Sequence, residues 1–361
     1  MLSRRSFAHV LGASTVAAAM PRLTLAQQAP KPKGIARLNA NENPYGPSQA
    51  AMRAITDAFP RTNRYPDDAI ETLIADIAKF HGVPNDSVLT TDGSSEALKV
   101  AATTFAQKRL VTADPTFEAI GFCAHSQGAE VIKVPLTSAH AHDLPKMLDA
   151  AKGEALIYVC NPNNPTATIT PKAAVRALLA SAPASVAVLV DEAYHHYADS
   201  PDYESVIPLV KQYPNLIVTR TFSKIYGMAG LRCGYAIAQP KTIENLQNHG
   251  QWDSVNVFAA EAARASLADP MHVEIGRKRN REAKQWLASE LGKMGYSMLP
   301  SDANFVMIEL KREVRPVIDA MKEHGVHVGR PFPPMTQYMR LSIGTPEEMQ
   351  RFVESFKAVM A

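Results

Sequence analysis

Apolar and polar positions along the chain form blocks that predict strands alternating with helices. Continuous apolar runs, typical of strands buried on both faces, occur at Leu156–Cys160, Val186–Val190 and Leu216–Thr219. Between residues 67 and 81 the apolar side chains recur at helical spacing, and Gly82 is a suitable helix end. This alternation predicts an α/β fold whose large domain has a mainly parallel sheet covered by helices.

The pattern changes character near residue 265. A long, highly charged helix is predicted first, and shorter strands and helices then alternate to the C-terminus. These predicted elements are helices at His272–Met294, Val314–His324 and Pro346–Met360 and strands at Asn304–Leu310 and Tyr338–Ile343. We therefore expect a large domain at residues 49–265, a smaller α+β domain at 266–361, and an N-terminal arm with a small-domain segment at 27–48.

Composition excludes several classes of function. The 361 residues are 46% hydrophobic and 20% charged, which is ordinary for a globular protein. A net charge of +3 without long like-charge runs argues against a nucleic-acid surface. Three scattered cysteines do not make a disulfide framework or a zinc site. The group His140, His142 and Asp143 is more typical of a solvated loop, so no metal site is predicted.

The first residues resemble an export signal. Paired Arg4 and Arg5 precede Phe7, an apolar run extends from Val10 to Met20, and a small-x-small cleavage site ends at Ala26. The run is too short to span a bilayer comfortably, so we expect no stable membrane anchor. Removal of residues 1–26 after twin-arginine export predicts a periplasmic protein. The alternative is an unstructured N-terminus on a protein that stays cytoplasmic.

The segment Arg220–Tyr235 has the richest chemistry. Lys224 follows the hydroxyl side chains of Thr221 and Ser223, and Arg232 comes eight residues later. A positioned lysine amine can form a Schiff base with an aldehyde. Arginine and hydroxyl groups can hold a phosphate. Together they indicate a site for pyridoxal 5′-phosphate (PLP), with Lys224 on the aldehyde and Arg232 on the phosphate, although an exposed basic loop is the alternative.

Other candidate groups follow predicted strands. The turn Asp92–Glu96 opens a helix whose free N–H groups suit an anion, although these residues also suit a helix cap. The turn Asn161–Thr166 ends a buried strand, where open α/β sheets bind ligands. Asp191 ends the next strand, and either a protonated pyridine nitrogen or backbone donors would satisfy it. Phe117 could stack on a ring or belong to the core.

Seven segments, taken in order, resemble the fold-type I PLP-dependent aminotransferases of class I/II, and most of all the histidinol-phosphate aminotransferase family. The resemblance covers the chain from Arg37 onwards. The segments are Leu38–Pro44, Arg64–Asp67, Asp92–Glu96, Asn161–Thr166, Asp191–Tyr194, Thr221–Lys224 and Arg340–Thr345. No single segment is specific, but seven in the same order are.

The resemblance implies roles around the cofactor ring. Lys224 would hold PLP as a Schiff base and then act as general acid and base. Asp191 would keep the pyridine nitrogen protonated, so that the ring can accept electrons from Cα. Asn164 and Tyr194 would hydrogen-bond the ring hydroxyl, and Phe117 would stack on the ring. The implied catalytic residues are Lys224, Asp191 and Tyr194.

The resemblance also implies partners for the phosphate and the substrate. The phosphate ligands would be Ser94, Ser95, Thr221, Ser223 and Arg232. Tyr65 would reach the phosphate in a second subunit, which implies a homodimer with shared active sites. Arg340 would bind the substrate carboxylate. Arg330 could bind a second anionic group, and Asn41 is a further candidate substrate ligand.

The implied activity is transfer of an amino group between an amino acid or related amine and a 2-oxo acid. Two alternatives are a decarboxylase of the threonine-phosphate type, which uses the same lysine and aspartate, and a non-catalytic PLP-binding module. Two departures from the family pattern stand out. Ala167 occupies a position that is usually Gly, which predicts a slightly different turn. The extra Gly329 leaves the role of Arg330 and the identity of the substrate open.

Overall fold

A computed structural model describes residues 34–361, and the predicted export signal at 1–26 lies outside the described residues. The strands, in chain order, are β1 (Ala36–Leu38), β2 (Val88–Thr91), β3 (Arg109–Asp114), β4 (Glu130–Pro135), β5 (Ala155–Cys160), β6 (Val186–Asp191), β7 (Leu216–Thr221), β8 (Gly234–Ile237), β9 (Ser297–Met298), β10 (Phe305–Glu309), β11 (Val326–Val328) and β12 (Tyr338–Ser342).

Helices cover these strands. In chain order they are α1 (Gln49–Ala58), α2 (Asp67–His81), α3 (Gly93–Phe105), α4 (Ala119–Ser126), α5 (Leu144–Ala150), α6 (Lys172–Ser181), α7 (Pro240–Gln247), α8 (Val257–Leu267), α9 (Pro270–Lys293), α10 (Val314–Glu323) and α11 (Pro346–Met360). Within residues 34–361 no helix has both the length and the apolar character that crossing a membrane requires.

The main sheet has seven strands in the order β2-β8-β7-β6-β5-β3-β4. Six of them run parallel, and β8 runs antiparallel to both of its neighbours. Every residue of β5, β6 and β7 is buried, as their continuous apolar runs predict. The predicted α/β fold with a mainly parallel sheet is therefore confirmed.

The register of the central strands decides where the site forms. Cys160 at the end of β5 pairs with Asp191 at the end of β6, and Asp191 pairs with Thr219 in β7. Parallel strands end at a common edge, so the segments that follow these three strands emerge side by side. The turn Asn161–Thr166, Asp191 and the Lys224 segment consequently meet at one edge of the sheet.

The C-terminal part has its own sheet and core. Strands β9, β10 and β12 form an antiparallel sheet, while β1 pairs in parallel with β11. Apolar side chains of α9, α10 and α11 pack with these strands, around residues such as Leu341 and Phe352. This is the α+β arrangement expected for the second part of the chain. Residues 34–361 group as one compact unit, and the domain boundaries stay predictions.

Helix ends match the sequence signals closely. Helix α2 stops at His81, and Gly82 follows with a φ of 65°, the left-handed conformation that glycine adopts without strain. The sequence pattern did not predict several short strands, among them β1, which contains Arg37 and Leu38. Strand β8 was not predicted, because its four residues follow the Lys224 segment without a separate apolar run.

Candidate active site

A cavity of about 240 Å³ lies at the carboxyl edge of the main sheet. It brings together residues from β5, β6 and β7, the start of α3, the loop after β1, and β12. Its lining contains every predicted site residue except Tyr65 and Arg330. The lining residues are Ala40, Asn41, Ser94, Ser95, Phe117, Cys160, Asn164, Asp191, Ala193, Tyr194, Thr221, Ser223, Lys224, Ala229, Arg232 and Arg340.

Lys224 presents its amine inside this cavity, three residues after the end of β7. Its Nζ donates to the carbonyl oxygen of Asn41 at 3.1 Å and lies 5.4 Å from the centre of the Tyr194 ring. Burial first and the positive charge of Arg340 second lower the pKa of Lys224 to about 8. About a tenth of the amine is therefore neutral and nucleophilic at pH 7, far more than at the ordinary pKa of 10.5.

Asp191 is a buried carboxylate whose direct partners are neutral donors. Its Oδ2 accepts from the Tyr158 hydroxyl at 3.0 Å, and its Oδ1 accepts from Thr219 Oγ1 at 3.1 Å and from the Ala193 N–H at 3.2 Å. Burial raises the pKa of Asp191 to about 6. Because a buried charge is costly without a counter-charge, a cationic ring nitrogen in this cavity would stabilise the ionised carboxylate.

Asn41 connects the N-terminal loop to the rest of the site. Its Nδ2 donates to the Tyr194 hydroxyl at 3.1 Å, and its carbonyl oxygen accepts from Asn304 Nδ2 at 3.0 Å as well as from Lys224. Its N–H donates to Ser342 Oγ at 2.8 Å. The predicted substrate ligand thus holds Tyr194 and Lys224 in place while it lines the cavity.

Arg340 is a buried cation with one unused donor. Its Nη1 donates to Asn164 Oδ1 at 2.7 Å and its Nη2 donates to the Asn39 carbonyl oxygen at 2.7 Å. Its Nε is buried without a hydrogen-bond partner. Burial, with a smaller effect from the charge of Arg330, lowers the pKa of Arg340 to about 10. An anionic ligand in the cavity would supply the missing acceptor and the counter-charge.

The start of α3 and Arg232 form an anion cradle. Arg232 Nη2 donates to the Asp92 carbonyl oxygen at 3.1 Å. A Cβ on Gly93 would lie 2.3 Å from that same nitrogen, so only glycine leaves room for the guanidinium there. Ser94 and Ser95 follow in the first turn of α3, where backbone N–H groups have no partner within the helix. This arrangement suits a phosphate.

The hydroxyl groups before Lys224 complete the cradle. Thr221 and Ser223 are both buried and both line the cavity, and Thr221 Oγ1 accepts from the Ser223 N–H at 3.1 Å. Phe117 also lines the cavity and packs on the apolar core behind it. An aldehyde-reactive amine, a buried carboxylate, a ring-stacking surface and an anion cradle thus occur in one cavity. The residues present fit PLP.

Two predicted residues lie outside this cavity. Tyr65 is 81% exposed, just before α2. Arg330 forms an ion pair with Glu118, and its guanidinium lies 4.3 Å from the centre of the Phe332 ring. Sequence reasoning missed Glu118 and Phe332. Glu118 adjoins the predicted Phe117, and this adjacency is the signal that could have drawn attention to it.

A buried ion pair behind the cavity was also missed. Arg220 Nη2 lies 2.6 Å from Glu192 Oε2, and the two side chains are 4% and 1% exposed. Ser205 Oγ and the Val206 N–H also donate to Glu192. The pair links the ends of β6 and β7, next to Asp191 and Thr221. Both residues lie in segments that the sequence analysis singled out, but no feature of the sequence indicated that Arg220 and Glu192 form a pair.

The two departures from the family pattern have structural counterparts. Ala167 is fully buried with a φ of 63°, so a residue with a side chain occupies the backbone conformation for which glycine is normally used. The Gly329 N–H donates to the Arg340 carbonyl oxygen at 2.8 Å. A Cβ on Gly329 would lie 2.9 Å from that oxygen. The extra glycine therefore allows the segment before Arg330 to pass closely against Arg340.

The histidine-rich loop has structural roles. His142 is buried, and its Nδ1 is 3.0 Å from Thr170 Oγ1. Asp143 caps α5 by accepting from the Lys146 N–H. In the part of the chain that the structure describes, no group of three or more acidic, histidine or cysteine side chains could hold a metal ion.

Comparison with known proteins identifies relatives over most of the chain. The model of the family "Aminotransferase class I and II" matches residues 33–356. The histidinol-phosphate aminotransferase of Symbiobacterium thermophilum is 39% identical over 331 residues, which cover 90% of this chain and 91% of that protein.

Solved structures agree with this relationship. Histidinol-phosphate aminotransferase from Sinorhizobium meliloti, in complex with pyridoxal-5′-phosphate, matches with a TM-score of 0.86 and 25% identity, covering 95% of this chain and 98% of that one. L-threonine-O-3-phosphate decarboxylase from Porphyromonas gingivalis matches with a TM-score of 0.80 at 22% identity, over 90% and 99% of the two chains. The second match shows a shared fold alone.

Proposed function

This chain belongs to the class I and II aminotransferases and is a PLP-dependent transaminase, and from this premise we propose how its own residues carry the reaction. Lys224 is the residue that binds the cofactor aldehyde and moves the substrate proton. Support comes from its position in the cavity and from its pKa of about 8, which is lower than the ordinary 10.5 and so raises the neutral share of the amine at pH 7. The observation that carries the proposal is the meeting of Lys224, Asp191 and Arg340 in one cavity.

Asp191 holds the proton on the pyridine nitrogen. When bound, PLP supplies a cationic ring that accepts the electrons left on Cα when it loses a proton. Tyr158 and Thr219 fix the position of the Asp191 carboxylate by donating to it. Because that carboxylate is already oriented, it stabilises the ring cation without reorganisation during the reaction.

The remaining groups position the cofactor and the substrate. Arg232, the start of α3 and the hydroxyls before Lys224 bind the phosphate, and Phe117 supports one face of the ring. Asn164 and Tyr194 donate to or accept from the ring hydroxyl. Arg340 binds the substrate carboxylate through its unused Nε–H, with Asn164 and Asn39 holding the guanidinium in place.

Retention of the carboxylate distinguishes transamination from decarboxylation. In the exchange, the donor amino acid leaves as its 2-oxo acid and the acceptor 2-oxo acid leaves as an amino acid, so no external oxidant is needed. A carboxylate bound to a buried arginine keeps its negative charge stabilised, which disfavours its loss as carbon dioxide. Turnover that depends on a 2-oxo acid supports the proposal, whereas release of carbon dioxide supports the decarboxylase alternative.

We also propose a homodimer in which Tyr65 binds the phosphate of the partner's cofactor. Tyr65 is 81% exposed and does not line the cavity of its own protomer. Tyr65→Phe should weaken cofactor affinity, and sedimentation should give twice the monomer mass. A monomer that binds PLP with unchanged affinity after this substitution contradicts the proposal.

Export through a twin-arginine signal is a further proposal. It rests on Arg4, Arg5 and the apolar run Val10–Met20 in the sequence. N-terminal sequencing of protein from the periplasm of its host should begin after Ala26. A protein that retains Met1 and stays in the cytoplasm contradicts the export proposal and leaves the catalytic proposal intact.

A further inference from the structure

A second cavity adjoins the first beside Arg340. It has a volume of about 500 Å³, and it shares Phe117, Asn164 and Arg340 with the cavity that contains Lys224. A substrate whose carboxylate binds Arg340 therefore borders both spaces. We call the second space the side-chain cavity. Its other lining residues are Asn39, Thr116, Glu118, Ala119, Phe122, Arg330 and Phe332.

One of the two cations that line the side-chain cavity is already paired with an anion of the protein. The cavity lining contains two cations, Arg330 and Arg340, and one anion, Glu118. Arg330 Nη2 donates to Glu118, and its Nη1 donates to the Pro331 carbonyl oxygen at 2.9 Å. Arg340 is the group that binds the substrate carboxylate. Arg330 is therefore neutralised by the protein itself rather than left free for a second anionic group of the substrate.

Aromatic rings form much of the remaining wall. Phe332 is buried, and the guanidinium groups of Arg330 and Arg340 lie 4.3 and 4.6 Å from its ring centre. Phe122 is 68% exposed in a single protomer, so its ring offers apolar surface to a ligand. An apolar side chain would remove this surface from water, which is the main source of favourable free energy in such a pocket.

We propose that the side-chain cavity accepts an uncharged aromatic or long aliphatic side chain, and that Glu118 is the residue that determines this specificity. The inference rests on the proposed function, because it takes Arg340 as the carboxylate site. A second anionic group would have to displace Glu118 from Arg330 and would then lie beside a like charge. The amino donor and the 2-oxo acid acceptor bind in the same cavity in turn, so the preference for an uncharged side chain applies to both substrates.

Binding of unreactive analogues tests the inference without turnover. Titration calorimetry on the PLP-loaded protein would use 3-phenylpropionate and glutarate, which have no amino group that could react with the cofactor. We expect 3-phenylpropionate to bind about twofold to fivefold more tightly than glutarate, the range set by a half-exposed charge pair. Tighter binding of glutarate than of 3-phenylpropionate overturns the inference.

Two matched substitutions identify the responsible residue. Glu118→Gln removes the charge that neutralises Arg330, so the affinity ratio should shift about twofold to fivefold towards glutarate. Glu130→Gln is the control, because Glu130 also pairs with an arginine, Arg109, at the opposite end of β3. The control should leave the ratio unchanged. An equal shift in both variants, or no shift in Glu118→Gln, overturns the role of Glu118.

Turnover separates this inference from the proposed function. The absorbance of bound PLP would be followed with phenylalanine, leucine and glutamate as donors. If no donor converts the cofactor, the transaminase mechanism fails, while the analogue affinities still decide the chemistry of the side-chain cavity. If all three donors react with equal kcat/KM and the analogue affinities are equal, the specificity inference fails and the proposed function stands.

Discussion

The buried pair of Arg220 and Glu192 allows a quantitative test of the architecture behind the site. Glu192 accepts hydrogen bonds from two nitrogens of Arg220, from Ser205 Oγ at 2.8 Å and from the Val206 N–H at 2.7 Å. Glu192→Gln keeps the shape of the side chain but removes its charge and one acceptor oxygen. The amide NH₂ must then face either Arg220 or the Val206 N–H, both of which are donors.

The expected loss of stability is large. Breaking a buried ion pair by changing one partner costs about 3–5 kcal/mol, because the remaining charge stays buried without compensation. We expect Glu192→Gln to lower the free energy of unfolding by about 3–4 kcal/mol, since glutamine retains part of the hydrogen bonding. The pair also holds together the strand ends that carry Asp191 and Thr221, so the loss should be accompanied by weaker cofactor binding.

The assay is urea denaturation at fixed protein concentration, followed by circular dichroism, with and without PLP. The control is Glu130→Gln, because Glu130 is 58% exposed and its pair with Arg109 should contribute less than about 1 kcal/mol. If both variants lose the same small amount, the buried pair does not stabilise the fold as reasoned here. A double substitution that also changes Arg220 to Met should recover part of the loss.

Three further outcomes follow from the geometry of the site. Burial raises the pKa of Asp191 to about 6 in the folded protein, so the favourable contribution of this carboxyl group to stability is present below its ordinary pKa of 3.8 and is lost as pH rises through 6. Asp191→Asn should therefore stabilise the cofactor-free protein at pH 7 by about 1–3 kcal/mol in urea denaturation, and a destabilised variant would contradict this sign. The same substitution should slow the amino-donor half-reaction about 10²–10³-fold in stopped-flow absorbance. The rate at which PLP binds the cofactor-free protein should rise with pH, with a midpoint near the Lys224 pKa of about 8, because the neutral amine is the reactive form. Arg340→Gln should move this midpoint to higher pH. An unmoved midpoint would show that Arg340 does not lower the pKa of Lys224. Gly93→Ala should weaken PLP affinity about 10–100-fold by displacing the Arg232 guanidinium, as measured by equilibrium dialysis. The control is Gly128→Ala, which should leave the affinity unchanged, because Gly128 also has a positive φ but a Cβ there would have nothing within 4 Å.

The main residues of the active site and their positions after strands were largely predictable from the sequence. Lys224, Asp191 and Arg340 stand in short segments that follow strands, and the strands themselves appear as apolar runs. Once the sheet is parallel, the common edge of its strands brings these segments together. The sequence thus contained enough information for the fold class and for most residues of the cofactor cavity.

Contacts between distant side chains were not predictable. The pairing of Arg330 with Glu118 spans 212 residues, and neither periodicity nor a turn signal connects them. Arg220 in β7 contradicts the apolar pattern of a buried strand, and only the position of Glu192 at the end of β6 explains why it is tolerated. Such pairs depend on strand order and loop placement, which local patterns do not specify.

The central claim is that Lys224 binds PLP and that this enzyme transfers amino groups by a two-step exchange. Its most direct test is the absorbance spectrum of the PLP-loaded protein during addition of an amino acid and then of a 2-oxo acid. We predict that the visible band of the bound cofactor disappears with the first addition, returns with the second, and is absent from Lys224→Ala. A bound cofactor whose band responds to no amino donor, or whose band persists unchanged in Lys224→Ala, would contradict it.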